Sequence, residues 1–385
     1  MSFRVETENI EPADLDIEEE EPFFARYSPD IKEIKEKASE KDFENLVVIG
    51  NGGSITSFRA FLYSFFPEID KDVRLVTTMD PDYLNRLSRE LDKEETLVVP
   101  ISKSGQTVGV IESLLYFMEK GYEVFPVTSD NNGALRQIIS EEGLDWVEHP
   151  DVGGRFSGAT ETGLVPAALA GMDIEEIRAG AEEMYEELKP GKVNAAKELA
   201  AKLYRAEERG FEEILTPFYS TRMFGFYPLM VQLMHETVCK NGEGQTVYGD
   251  IGPEYQHHTN QRMFGGRENV FPVFFRAETH EHVNIKVPEG LEDVEIRGKP
   301  LKQLERNTYS EALKSEYRGV RDALDEEDRP HATVALEELS YRSAGKLLAF
   351  MQYLAVYSAW FRRVNPFNQP NVEKSKQIGF EERFN

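Results

Sequence analysis

Four short stretches of the chain gather side chains that could move protons or hold an anion. "SKSGQT" sets Ser102, Lys103, Ser104 and Thr107 around Gly105, between the apolar run "TLVVPI" and an amphipathic stretch. One Ser or Thr is enough to cap a helix. This crowd of hydroxyl and ammonium donors at a helix N-terminus suits an anion such as a phosphate. Gln232 and Glu236 stand four residues apart, so they project from one helix face. That spacing also fits a solvated polar stripe, but Leu229, Met230, Leu233 and Met234 surround the pair, and a carboxylate embedded there is a candidate for a tuned base. Arg155 follows two glycines in "VGGRFS", a turn where backbone can approach a ligand closely, although a lone arginine more commonly serves a structural ion pair. "YQHHT" offers His257 and His258 in a loop, able to shuttle protons or bind metal. Adjacent loop residues point apart, so at most one of them is expected to serve a site.

Two tempting motifs fail. "GNGGS", residues 50–54, lacks the third glycine of the dinucleotide fingerprint, because Ile55 stands three positions after Gly52. No segment fits the P-loop pattern either. Alone, "GNGGS" is as well explained by a tight strand-to-helix turn; paired with "SKSGQT" it points to a phosphate site. "HETVC", residues 235–239, begins like a zinc protease helix, but Cys239 occupies the place of the second histidine and no third ligand is evident, so no metal is expected.

Positioning such groups takes regular elements, and the sequence predicts them in alternation. "SPDIKEIKEKASEKD" reads as a polar helix, "NLVVIG" as a buried strand and "GGSITSFRAFLYSFF" as the helix after it. Strands "DVRLVTT", "TLVVPIS", "YEVFPVTS" and "DWVEHP" then alternate with helices "PDYLNRLSREL", a long one from Gly105, and "GALRQIISEEG". Helices follow to about residue 209, then strand "FEEILTPFYS", helix "RMFGFYPLMVQLMHETVCK", strands "NVFPVFFRAE" and "EHVNIKV", and a long helix from Ala335 to Val364. Apolar strands alternating with helices imply α/β architecture with parallel sheets covered on both faces. Ligands in such sheets sit outside the carboxyl ends of the strands, where both "GNGGS" and "SKSGQT" fall.

A chain of 385 residues exceeds what one core usually supports, so two domains are expected. The boundaries read as an acidic N-terminal arm over 1–30 (loose, or wrapped on a sheet edge), a first domain over 31–175, a second over 176–330, and a C-terminal segment over 331–385 carrying the long helix and a loop. A composition 40% hydrophobic and 30% charged is that of a globular protein rather than a disordered one. The net charge of −26 argues against nucleic acid as a partner, and no apolar run approaches a membrane span. Met1 is not followed by a basic-then-apolar leader, and the single Cys239 excludes an intrachain disulfide, so a reducing cytoplasm is expected. An anionic ligand would meet a repulsive overall field, which local cations and helix ends must reverse.

Together, in order and spacing, these motifs resemble the phosphoglucose isomerases, which are built from two sugar-isomerase (SIS) domains of flavodoxin-like parallel α/β type. "GNGGS" is similar to the family's first glycine loop on the phosphate side, which implies substrate contacts at Gly53 and Ser54. "SKSGQT" resembles its phosphate cradle, with Ser102, Lys103, Ser104 and Thr107 in matching positions. "VGGRFS" is close to the signature around the catalytic arginine, here Arg155. "QLMHE" matches Gln-x-x-x-Glu, implying a substrate contact at Gln232 and the catalytic base at Glu236. "QH" followed by "HTNQ" puts His257, rather than His258, in the catalytic histidine's place. "NPFNQPNVEKSK" resembles the C-terminal signature, with Gln369 a substrate contact and Lys376 the catalytic lysine. The likeness runs from about Val47 to Lys376 and is that of compact prokaryotic forms.

The resemblance implies interconversion of glucose 6-phosphate and fructose 6-phosphate through a cis-enediol, by a homodimer without cofactor or metal. His257 and Lys376 would open the ring, Glu236 would carry the proton between C2 and C1, and Arg155 would stabilise the enediolate. The nearest alternative is a relaxed enzyme that also isomerises mannose 6-phosphate. A non-catalytic SIS-domain regulator would not need Arg155, Glu236, His257 and Lys376 together. An amide-transferring isomerase would usually bring a glutaminase domain with a nucleophilic cysteine.

Overall fold

The computed structural model describes residues 3–384. Two sheets form its frame. Across the first, the order is Asp72–Val76, Asn45–Ile49, Thr96–Ser102, Val127–Thr128 and Val147–Glu148, all parallel. In chain order that is 2-1-3-4-5, the flavodoxin-like winding, whose switch point lies between the first and third strands. Asn45–Ile49 and Thr96–Ser102 are buried almost throughout, as a sheet with helices on both faces requires.

The second sheet repeats the winding. Its parallel strands Glu213–Tyr219, Thr246–Ile251, Val270–Ala277 and His331–Leu336 are ordered 2-1-3-4 in chain order, read from Thr246–Ile251. A fifth strand, Phe3–Glu8, joins the outer edge antiparallel to His331–Leu336, from Phe3 opposite Leu336 to Glu8 opposite His331. The second sheet therefore takes strands from both the expected N-terminal arm and the expected C-terminal segment.

Several expected elements change. "YEVFPVTS" is two short pieces, Glu123–Val124 and Val127–Thr128, because Pro126 between them has no N–H to give the ladder. "EHVNIKV" is not a strand: it is mostly exposed and makes one isolated bridge, Asn284 to Thr308. Val270–Ala277 already has a neighbour on each side, which leaves that segment no edge beside it. Thr246–Ile251 was not expected, since its polar, glycine-containing sequence lacks the apolar run of a central strand. His331–Leu336 is a buried strand where helix was expected from Ala335; the helix begins at Tyr341, after Ser340 caps it in a box with Ser343. The helix expected from Gly105 starts at Val108.

The helix Tyr341–Phe361 is buried on nearly all sides, and it packs against Ile174–Glu187, Ala195–Glu208, Tyr227–Val238 and Gly53–Phe65. A helix apolar all round belongs in a core. One continuous core joins this helix to Leu46 and Val48 of the first sheet and to Phe218 and Phe275 of the second. Two glycines let it approach Ile174–Glu187 at backbone distance: a Cβ at Gly345 would sit 1.9 Å from the Ile177 carbonyl oxygen, and one at Gly180 1.9 Å from that of Arg342. Among the described residues no helix is long and apolar enough to cross a membrane.

Candidate active site

The loops after Asn45–Ile49 and Thr96–Ser102 leave the carboxyl ends of neighbouring strands at the first sheet's switch point. They lie side by side: a Cβ at Gly109, behind "SKSGQT", would lie 3.6 Å from Asn51 Oδ1 of "GNGGS". In the cradle, Ser102 Oγ and Thr107 Oγ1 are 3.0 Å apart and the Gln106 N–H donates to Ser104 Oγ at 3.1 Å. Thr107 is the N-cap of Val108–Glu119 but makes no side-chain cap, so its hydroxyl is not committed to its own helix. Lys103 Nζ lies 2.7 Å from the exposed Asp151, whose carboxyl it holds below the usual range. An incoming anion would compete with Asp151 for that ammonium.

Arg155 sits in the short 3-10 turn Gly154–Phe156 and is only 3% exposed. Its place depends on Gly53, where a Cβ would come within 2.2 Å of the Arg155 backbone nitrogen. The first turn of helix Gly53–Phe65 thus rests directly on the arginine's own backbone. From there the guanidinium reaches the helix Tyr227–Val238, donating from Nε to Thr237 Oγ1 at 2.9 Å and from Nη1 towards Glu236 Oε2 at 3.3 Å. It also reaches the C-terminal loop, where Nη2 donates to the carbonyls of Pro366 (2.6 Å) and Asn368 (3.1 Å), and Nη1 to Gln369 Oε1. Burial pulls its pKa down and the Glu236 charge acts against that.

Glu236 is held from its other side by Gln232, whose Nε2 donates to Glu236 Oε1 at 2.9 Å. The Gln232 Oε1 accepts from Thr56 at 2.8 Å. One helix turn past Glu236, Lys240 is buried and donates to the carbonyls of Thr237 and Asn365, both at 2.7 Å. Burial and the Arg155 charge bring its pKa down to about 8.

The structure brings Arg155, Gln232, Glu236 and Gln369 together beside Gly53. It leaves two of the four expected catalytic residues outside this cluster. His257 ends the turn Glu254–His257 and is exposed. Lys376 is exposed on helix Glu373–Glu382, with its ammonium 2.9 Å from Glu373. His258 bonds Thr259 Oγ1 at 2.7 Å, and His235 Nε2 accepts the Val247 N–H at 2.9 Å. Sequence reasoning missed Thr56, Thr237 and Lys240. Lys240 had a faint mark, a cation one turn beyond the carboxylate at a helix exit; Thr56 had none, since its partner is 176 residues away.

Chemically, a carboxylate with both oxygens engaged lies against a buried guanidinium, next to the glycine turn at Gly52 and Gly53 at a sheet's switch point. That combination can move a proton on a bound molecule and stabilise the negative charge that follows. No family model matches the chain. A glucose-6-phosphate isomerase from Shouchella clausii is 30% identical over 400 residues, covering 96% of this chain and 84% of the relative. A hypothetical protein from Thermus thermophilus has the same fold, with a TM-score of 0.83 and 26% identity over 93% of this chain and 88% of that one. The glucose-6-phosphate isomerase structure from Chlamydia trachomatis superposes with a TM-score of 0.74 at 24% identity, over 96% of this chain and 75% of that one. With 30% identity to the Shouchella clausii enzyme over 96% of this chain and 84% of the relative, the chain belongs to the glucose-6-phosphate isomerase family.

Proposed function

We propose that the protein interconverts glucose 6-phosphate and fructose 6-phosphate. The observation that carries this is the pairing of Glu236 with the buried Arg155 beside a phosphate-type turn. The phosphate is taken by Ser102, Lys103, Ser104 and Thr107 at the start of helix Val108–Glu119, with Gly53 and Ser54 lining the opposite loop. Anchored there, far from the reacting carbons, the phosphate contributes binding energy that orients the open-chain sugar.

Glu236 removes the proton from C2 and returns it to C1, passing through a cis-enediol. Arg155, fixed against that carboxylate, contributes a preorganised positive charge as negative charge develops on the enediolate, so the route needs no metal. Gln232 and Gln369 hold the carboxylate and the guanidinium in place and contact the sugar. Ring opening falls to His257 and Lys376. We assign His257, exposed in a single chain, to the site of a second copy in a homodimer working in the cytoplasm.

A coupled assay for glucose 6-phosphate formed from fructose 6-phosphate, run without added metal, tests the reaction. A parallel arm with mannose 6-phosphate measures how strictly the configuration at C2 is read. Turnover with neither aldose would refute the proposal.

A further inference from the structure

Gln232 uses both ends of its side chain for other residues. Its Nε2 donates to Glu236 Oε1 at 2.9 Å, and its Oε1 accepts from Thr56 Oγ1 at 2.8 Å. Thr56 lies in the first turn of helix Gly53–Phe65 and is 8% exposed. The same turn closes on the amide a second time, because a Cβ at Gly52 would sit 3.0 Å from Gln232 Nε2. A hydroxyl, an amide and a carboxylate thus stand in line, reaching from the first α/β unit to the helix of the second.

The line has a polarity. An ionised carboxylate only accepts, so it takes the NH2 end of the amide, and the amide oxygen is left facing Thr56. Only a side chain that can donate satisfies that oxygen in its sheltered position. Without the donor, no hydrogen bond from the first unit holds the amide, and Gln232 can turn to another rotamer and release Glu236 Oε1. We infer that Thr56 is a positioning residue for proton transfer, fixing the Glu236 carboxylate through Gln232 so that its second oxygen faces Arg155 and the reacting carbons. This rests on the reading of Glu236 as the base.

Thr56→Val keeps the shape and removes the donor. With the phosphate cradle untouched, KM for fructose 6-phosphate should stay within about twofold while kcat falls about tenfold, the scale of one buried hydrogen bond lost. If proton transfer is what slows, the isotope effect with C2-deuterated glucose 6-phosphate rises in the variant. Thr56→Ser restores the donor and should return both kcat and the isotope effect towards wild type. Should Thr56→Val not fold, as judged by circular dichroism, Thr56→Ala takes its place. Wild-type kcat and isotope effect in the donor-less variant would overturn the assignment, as would a Thr56→Ser protein as slow as the valine. Glu236→Gln separates the two levels: if it keeps turnover, the reading of the base fails and Thr56 with it; if it is inactive while Thr56→Val behaves as wild type, only the role of Thr56 falls.

Discussion

Arg155 and Glu236 meet at 3.3 Å, yet they come from different parts of the chain, one in a turn after the first sheet and the other on a helix of the second unit. A buried charge such as that of Arg155 is useful only if the rest of its surroundings is satisfied. Here four further acceptors take the remaining guanidinium donors: Thr237, Pro366, Asn368 and Gln369. The arginine therefore joins three segments at once, with the Glu236 carboxylate lying against it.

Glu236→Gln preserves size and a hydrogen-bonding oxygen but removes the carboxylate proposed as the base. Substrate binding should change little, while isomerisation falls about 10²–10⁴-fold. Exchange of the sugar's C1 or C2 hydrogen with deuterated solvent, followed by NMR, should fall in parallel. Near wild-type exchange would show that another group carries the proton.

Ser104→Ala with Thr107→Ala removes two donors from the cradle, each worth about 1.5–3 kcal/mol towards a charged acceptor. Thr107 caps nothing with its side chain, so the helix should survive. Calorimetry with a sugar-phosphate inhibitor should report weaker binding at an unchanged melting temperature. Unaltered affinity would locate the anion elsewhere.

Both sheets were legible in the sequence wherever a strand is a continuous apolar run, as in Asn45–Ile49, Thr96–Ser102 and Val270–Ala277, because burial on both faces writes itself into composition. Two edge strands of the second sheet were not, although Asp72–Val76 and Val147–Glu148 at the first sheet's edges were. Phe3–Glu8 and Thr246–Ile251 have a neighbour on one side only and alternate or carry polar residues, which is how an acidic lead-in and a loop also look. His331–Leu336 was hidden by the helix that follows a few residues later. At the site, the local motifs stood out because each is compact in sequence. Thr56 and Lys240 did not, because what makes them matter is contact with Gln232 and Asn365, which stand far from them in sequence.

Two glycines in helices test the packing by contrast. Gly345 faces the Ile177 carbonyl at a distance no Cβ can share, so Gly345→Ala should cost roughly 1–3 kcal/mol by overpacking. Gly319, mid-way along Tyr309–Glu326, has nothing within 4 Å of such a Cβ. Gly319→Ala should therefore stabilise by about 0.4–1 kcal/mol. Urea titration of both variants reads the difference, and equal effects would contradict the close helix crossing.

If His257 serves a second copy's site, mixing inactive His257→Ala and Glu236→Gln subunits should restore one intact site in each heterodimer. Random exchange makes half of the dimers mixed, so about a quarter of the wild-type sites return. No recovery after exchange verified by mass spectrometry would place His257 outside a shared site.

Lys240 links the base helix to the loop that carries Gln369, through carbonyls and without a carboxylate partner. Its pKa is lowered to about 8, by burial first and by the Arg155 charge second. Between about pH 8 and the ordinary lysine range, the folded chain then binds fewer protons at this residue than the unfolded chain. Linkage makes stability rise with pH across that window. Lys240→Met has no such proton to lose, so the stability of wild type relative to the variant should grow from pH 8 to pH 10 and be flat from pH 6 to pH 7. The variant should also turn over more slowly at pH 7, because the Asn365 carbonyl loses its donor and the loop behind Arg155 loosens. Denaturant titrations of both proteins at each pH give the slope. A difference that stays constant up to pH 10 would mean that Lys240 titrates as an ordinary lysine and that its burial does not set its charge.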